Sequence, residues 1–191
     1  MGRVWKLGDN INTDQIIPAR YYPTTDLKSL GKKCLCELRE DISGNIKEGD
    51  IILGGNNFGC GSSREYAPIA IKHSGAKCVI AKSFARIFYR NSINIGLPII
   101  LSSEAYDFLN DGDNVEVDLL SGKIRNLSSK KEMATIPLPD FVLKIVKEGG
   151  IINFIKSSEF SKYFKIEKKY RGINLKILGH QKNQNESDDI H

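Results

Sequence analysis

Three short apolar runs, separated by segments with helical periodicity, constrain the fold more than any other feature of the sequence. The runs are Asp50–Leu53, Lys77–Ala81 and Leu97–Leu101. A short continuous apolar run is typical of a strand that is buried on both faces. Apolar residues at helical spacing predict a helix that ends at Gly75 and another that Ser83 caps and Gly96 ends. This alternation of strand and helix predicts parallel crossover connections.

The remaining patterns add antiparallel strands and further helices. Period-two alternation on both sides of Ser121 and Gly122 predicts a hairpin. We therefore expect an α/β fold with a mixed parallel and antiparallel sheet and flanking helices. The other predicted elements are strands at Val4–Leu7, Asn114–Leu119, Lys123–Leu127 and Ala134–Leu138, a helix within Asp26–Cys36 that starts at Thr25 or Asp26, and a helix through Phe141, Ile145 and Val146 that ends at Gly149 and Gly150.

Composition and length predict one main domain followed by a tail. A chain of 191 residues with 40% hydrophobic content suits one core. We predict a domain over residues 1–164 and a polar, flexible tail over 165–191. The net charge of +5 comes from scattered lysines, so we predict no nucleic-acid binding. Without a long apolar span or a signal-peptide core, we predict a cytoplasmic protein that does not bind membranes.

The cysteines indicate structural thiols rather than a metal centre. Cys34, Cys36, Cys60 and Cys78 occur in no zinc-ribbon or ferredoxin spacing, and the chain has only three histidines. We therefore predict no metal site within the chain. Reduced, mostly buried thiols are the expected state, with Cys60 as a small residue that fits its turn.

The segment Asn56–Glu65, Asn-Asn-Phe-Gly-Cys-Gly-Ser-Ser-Arg-Glu, predicts an anion site. It joins a buried strand to a helical pattern, so backbone N–H groups and the positive end of the helix dipole should lie near its hydroxyls and its arginine. Other interpretations are open on these residues alone. Ser62 to Glu65 also fits a capping box, although Pro68 would then fall in the second turn. Arg64 also fits a surface ion pair.

Three blocks in register resemble a known family. Residues 57–65, residues 82–87 (Lys-Ser-Phe-Ala-Arg-Ile) and residues 12–18 (Asn-Thr-Asp-Gln-Ile-Ile-Pro) resemble the small subunit of 3-isopropylmalate dehydratase, the separate-chain equivalent of the swivelling β/β/α domain of aconitase. The resemblance covers about residues 3–155. It implies a heterodimer whose large subunit holds a 4Fe-4S cluster. It also implies the conversion of 2-isopropylmalate, a dicarboxylate hydroxy acid, to 3-isopropylmalate in leucine biosynthesis.

The resemblance also implies roles for single residues. Ser62 would be the catalytic base, and Ser63 and Arg64 would bind substrate. Gly59 and Gly61 would permit a tight backbone approach. The substrate-specificity loop would consist of Tyr21, Tyr22, Pro23 and Thr24.

Two departures bear on specificity. Homoaconitase-like members tend to carry arginine where this chain has Pro23, so the loop favours an isopropyl group over a further carboxylate, although Arg20 is close. Tyr66 stands where the family usually has histidine. Homocitrate, citramalate and dimethylmalate stay open as substrates, as does a non-catalytic anion-binding or regulatory module. Lys82, Ser83, Arg86, Asp14 and Asp26 are assigned to caps, turns and surface pairs rather than to chemistry.

Overall fold

The computed structural model describes residues 1–163, which form a seven-stranded mixed sheet with helices packed against it. The predicted boundary at residue 164 and the polar tail lie outside the described residues. No helix within residues 1–163 is long and apolar enough to cross a membrane. The strands are β1 (Gly2–Lys6), β2 (Ile51–Gly54), β3 (Cys78–Ala81), β4 (Ile99–Leu101), β5 (Asn114–Val117), β6 (Lys123–Asn126) and β7 (Lys131–Ala134).

The sheet has a parallel half and an antiparallel half that meet at β1. Its strand order is β4-β3-β2-β1-β5-β6-β7. The first four strands in that order pair in parallel, and β5, β6 and β7 continue from β1 in antiparallel pairs. The predicted fold class, the parallel crossovers and the β5–β6 hairpin are confirmed.

The helices cover both sides of the parallel half. They are α1 (Thr13–Ile16), a 3-10 turn (Ala19–Tyr21), α2 (Leu27–Lys32), α3 (Tyr66–Ser74), α4 (Arg86–Ile95), α5 (Ser103–Phe108), α6 (Asp140–Lys147), α7 (Ile151–Lys156) and α8 (Ser158–Tyr163). One buried cluster joins Ile52, Val79 and Ala81 to the residues of α2, α3 and α4. The other joins Leu53 and Ile80 to α5 and the antiparallel strands. Burial on both faces explains the continuous apolar runs.

Three local predictions were wrong or incomplete. The last strand occupies Lys131–Ala134 rather than Ala134–Leu138, because the short turn after β6 brings Glu132 opposite Arg125 on an exposed edge. Ser83 does not cap α4, which begins at Arg86 after the uncapped Ala85. The short helices α1, α5, α7 and α8 were not predicted, since runs of four to six residues show little periodicity.

Candidate active site

Three loops lie side by side where the parallel strands end. They follow β1, β2 and β3 and keep the order of those strands. Asn12 forms an isolated parallel bridge with Cys60, and Phe58 forms another with Phe84. The loop after β2 therefore runs between the other two, at the carboxyl ends of the strands, which is where open α/β sheets commonly bind ligands.

The first half of the loop after β2, residues 56–60, is held from both sides, and we call it the anchored stretch. The N–H of Phe58 donates to Ser83 O at 2.9 Å, and the N–H of Gly59 donates to Ile11 O at 2.7 Å. Asn57 N–H donates to the Ser83 hydroxyl at 2.8 Å. The hydroxyl of Ser83 thus serves this loop rather than its own helix. These bonds satisfy backbone groups that an isolated loop would leave to water.

Side-chain packing fixes the anchored stretch as well. Phe58 is fully buried, and its ring meets those of Phe84 and Phe88 edge to face at 6.1 and 5.4 Å. Gly59 has a positive φ of 78°, and a Cβ there would lie 2.1 Å from Phe88 Cγ. Only glycine fits this conformation in this space. The aromatic cluster therefore fixes the position from which the chain continues to Ser62 and Ser63.

Ser62 is exposed and lies against the loop that follows β1. Its Oγ is 3.2 Å from the hydroxyl oxygen of Thr13, a contact in which either group can donate. Thr13 itself is buried, so its hydroxyl is held in place by the core below it. Gly61, with φ of 95°, allows this approach, since a Cβ there would lie 3.3 Å from the same Thr13 oxygen.

The capping-box interpretation of Ser62 is wrong. Helix α3 begins at Tyr66 after Glu65, and no side chain caps it. Pro68 then lies within the first turn, where its missing N–H costs no helical bond. The uncapped end leaves N–H groups and the positive end of the helix dipole just beyond the serines and Arg64.

Arg64 is paired with a carboxylate of the neighbouring loop. Its Nη1 donates to Asp14 Oδ1, 50 positions away. The Arg64 side chain is 35% exposed and that of Asp14 60%. The ion-pair interpretation of Arg64 therefore describes the free chain, and Nε and Nη2 make no hydrogen bond to any residue in the range 1–163. A planar guanidinium held at one corner can still present two parallel donors to a second carboxylate.

Residues 21–24, the predicted specificity loop, lie beside Arg64. Tyr22 stacks on Tyr66, and the Arg64 guanidinium carbon lies 5.5 Å from the Tyr22 ring centroid. The guanidinium of Arg20 lies over the Tyr21 ring, with its carbon 4.8 Å from the centroid of that ring. Arg20 is also ion-paired with Glu37. The cation nearest to the loop in sequence therefore has an acidic partner.

The residues assigned to structure have structural contacts. Lys82 pairs with Asp107 at 2.9 Å, on α5 rather than at the site. Asp26 accepts from Ser29 N at 3.0 Å and caps α2, as predicted, although that helix ends at Lys32 rather than near Cys36. Arg86 is exposed at the start of α4.

The four thiols do not form a cluster-binding set. All four cysteines are free. Burial raises the pKa of Cys34 well above its usual range, and burial raises the pKa of Cys78 to about 12. Cys60 turns its Sγ to Asn10 O at 3.5 Å. Within residues 1–163 no three His, Cys, Asp or Glu side chains group as metal ligands. Iron–sulfur clusters need several thiolates around one centre, and these cysteines do not fit that need.

Sequence reasoning missed Thr13 and the Arg64 contact of Asp14. Both residues lie in the block of residues 12–18, and the resemblance of that block to the family was a signal that could have identified them. Asn12 and Gln15 form a reciprocal capping box that a local pattern search would recognise. It holds α1 so that Thr13 and Asp14 turn towards the neighbouring loop. Their partners are 49 and 50 positions away, which no local pattern reveals.

Comparisons with known proteins agree on one family. The model of the aconitase C-terminal domain matches residues 40–104. The 3-isopropylmalate dehydratase small subunit of Caldicellulosiruptor saccharolyticus is 57% identical over 155 residues, or 81% of this chain and 90% of the relative. That of Clostridium acetobutylicum is 55% identical over 159 residues, or 83% and 98%. The crystal structure of 3-isopropylmalate dehydratase (LeuD) from Methanocaldococcus jannaschii is 44% identical, with a TM-score of 0.77 over 86% of this chain and 97% of that one.

Proposed function

The chain belongs to the family of 3-isopropylmalate dehydratase small subunits, and we propose that its residues Ser62, Ser63 and Arg64 form this chain's part of the active site. The subunit belongs to a hydro-lyase that converts 2-isopropylmalate to 3-isopropylmalate in leucine biosynthesis by removing and returning water. The single observation that carries the assignment of residues is the contact of an exposed serine hydroxyl with a buried, fixed threonine hydroxyl.

Ser62 is the base in this proposal. Its hydroxyl is a weak base and can take a proton only as an alkoxide, which needs donors fixed around it. The Thr13 hydroxyl, 3.2 Å away, donates to Ser62 once Ser62 is ionised. The uncapped end of α3 supports the same negative charge through its dipole. A hydrogen bond to a charged group typically contributes about 1.5–3 kcal/mol.

Arg64 and Ser63 bind a substrate carboxylate in this proposal. Removal of the proton next to a carboxylate moves negative charge onto its oxygens, so donors there stabilise the transition state. Arg64 is oriented by Asp14, which leaves the other edge of the guanidinium for substrate. The Ser63 hydroxyl is exposed beside it. The loop after β2 thus supplies both the base and the carboxylate-binding groups, and the loop after β1 orients them through Thr13 and Asp14.

The specificity loop supports an alkyl rather than an acidic side group. Arg20, the nearby cation that would favour a further carboxylate, is directed instead to Glu37 and to the Tyr21 ring. Tyr22, Pro23 and Thr24 present aromatic and aliphatic carbon. An isopropyl group suits that surface, and a third carboxylate does not.

Small-subunit relatives imply a large-subunit partner. We propose that the 4Fe-4S cluster belongs to that partner, because the cysteines of this chain do not fit it. We also propose that the two subunits work in the cytoplasm, as the sequence predicts. In the joined enzyme, closing the partner over Ser62 and Arg64 would exclude water from groups that are open to solvent in the free chain.

The proposal is tested in a pair reconstituted with a matching large subunit. Ser62→Ala should lower kcat by about 10²–10⁴-fold, the usual size of a lost acid–base group, without changing the free energy of unfolding. Ser129→Ala, which removes an exposed hydroxyl in the β6–β7 turn, is the matched control and should keep full activity. Retained activity in Ser62→Ala would refute the base.

The same reconstituted pair separates the other functions. Ratios of kcat/KM for 2-isopropylmalate, homocitrate, citramalate and dimethylmalate identify the preferred acid. A preference for homocitrate would contradict the prediction that the specificity loop favours an alkyl group. Stable association without turnover of any of these acids would favour the non-catalytic anion-binding module.

A further inference from the structure

Tyr22 of the specificity loop lies against both Arg64 and Tyr66. Tyr66 is the first residue of α3, two positions after Arg64. Its ring lies 4.6 Å from that of Tyr22, centroid to centroid, with 8° between the planes. Stacked aromatic pairs of this kind contribute beyond the area that they bury. Helix α3, which begins beside Arg64, therefore also supports the specificity loop.

Hydrogen bonds give the loop no comparable support. Tyr21 N–H donates to Pro18 O at 3.0 Å and Tyr22 N–H to Ala19 O at 3.2 Å. Thr24 Oγ1 accepts from Asp26 N at 3.1 Å. All of these partners are within three positions along the chain. Within residues 1–163 no hydrogen bond joins residues 21–24 to the loop after β2. The loop is held instead by side-chain packing, through the stacked pair and through the contact of Tyr21 and Tyr22 with the core.

Tyr22 lies between the two features that matter for substrate. The Tyr66 ring stacks on the Tyr22 ring, and the Arg64 guanidinium carbon lies 5.5 Å from the centroid of the Tyr22 ring. Its hydroxyl oxygen is buried and has no hydrogen-bond partner among the described residues. The position of Tyr22 is thus set by packing and not by its polar end.

We propose that Tyr66 is a positioning residue that sets substrate selectivity by holding Tyr22 against the catalytic loop. This inference rests on the proposed function, because it concerns the same site. Helix α3 then fixes the alkyl-binding surface at Tyr22 relative to the carboxylate-binding Arg64. Loss of the Tyr66 ring loosens the loop, while Ser62 and Arg64 keep their contacts with Thr13 and Asp14.

The expected effect falls on binding and discrimination. In the reconstituted pair, Tyr66→Ala should raise KM for 2-isopropylmalate about 3- to 10-fold, the equivalent of one stacked pair. The preference for isopropyl over the methyl group of citramalate should fall by the same factor. The value of kcat should change less than about twofold, since no acid–base group is lost. Tyr66→Phe keeps the ring and should restore the wild-type preference.

A double-mutant cycle separates positioning from a general loss of structure. If Tyr66 acts through Tyr22, the Tyr66→Ala effect on the isopropyl-to-methyl ratio should vanish in a Tyr22→Ala background. An equal effect in both backgrounds overturns the proposal. So does failure of Tyr66→Phe to restore the ratio.

A second measurement needs no catalysis. Arg20 is exposed immediately before the loop, so trypsin cleavage after Arg20 in the full-length free chain reports loop opening. Cleavage should be about 3- to 10-fold faster in Tyr66→Ala and unchanged in Tyr66→Phe. An unchanged rate in Tyr66→Ala overturns the proposal. If the wild-type pair proves inactive on 2-isopropylmalate, the proposed function fails, while the cleavage rates still decide whether Tyr66 holds the loop.

Discussion

The anchored stretch and the specificity loop border the same site but are fixed in opposite ways. Residues 56–60 are bonded on both sides to neighbouring backbone and carry a fully buried phenylalanine. The hydrogen bonds of residues 21–24 go only to near neighbours, and side-chain packing, including the stacked pair of Tyr22 and Tyr66, holds the loop. Under the proposed function, the difference separates two tasks. Chemistry needs its groups held within fractions of an ångström, whereas the choice of an alkyl group is a packing matter of a few kcal/mol.

A substitution within the anchored stretch should have the largest effect. Gly59→Ala places a methyl group 2.1 Å from Phe88 Cγ at a positive φ. Overpacking and left-handed strain together should lower the free energy of unfolding by about 3 kcal/mol, measured by urea denaturation. Gly8→Ala is the control, because nothing lies within 4 Å of its added methyl. Similar losses in both variants would mean that the stretch is not tightly fitted.

A smaller effect should separate orientation from stability. Asp14→Asn weakens the pair with Arg64, so kcat/KM for 2-isopropylmalate should fall about tenfold, as expected for a loosened charge clamp. The free energy of unfolding should change by less than about 1 kcal/mol because the pair is solvent-exposed. Asp41→Asn breaks a similarly exposed pair with Arg39 away from the site and should leave kcat/KM unchanged. Equal activity in the two variants would remove Asp14 from the site.

The smallest effect concerns the specificity loop. Tyr22→Phe removes a buried hydroxyl that has no partner among the described residues, so the free energy of unfolding of the free subunit should stay level or rise by up to about 1 kcal/mol. Tyr106→Phe is the contrast, because the Tyr106 hydroxyl donates to Leu7 O at 3.0 Å and its loss should cost about 1 kcal/mol. A matching cost in Tyr22→Phe would show that the loop is held by that hydroxyl after all.

Local patterns in the sequence were enough for the frame of the fold. The apolar runs predicted β2, β3 and β4, and the turn at Ser121 and Gly122 predicted the β5–β6 hairpin. Patterns failed where tertiary contacts override them. The pattern around Ser83 predicts a helix cap, yet the Ser83 hydroxyl accepts a hydrogen bond from the backbone N–H of Asn57. Ser62 to Glu65 reads as a capping box, yet α3 starts only at Tyr66.

The order of the longer helices and of the strands, the glycine turn and the kinds of groups available for chemistry follow from the sequence alone, because these depend on residues close together in the chain. Only the tertiary structure decided which groups meet. Thr13 reaches Ser62 and Asp14 reaches Arg64 across about 50 positions, and Tyr22 stacks on Tyr66. The physical reason is the parallel sheet, which brings the carboxyl ends of consecutive strands to one edge, so that loops far apart in sequence become neighbours.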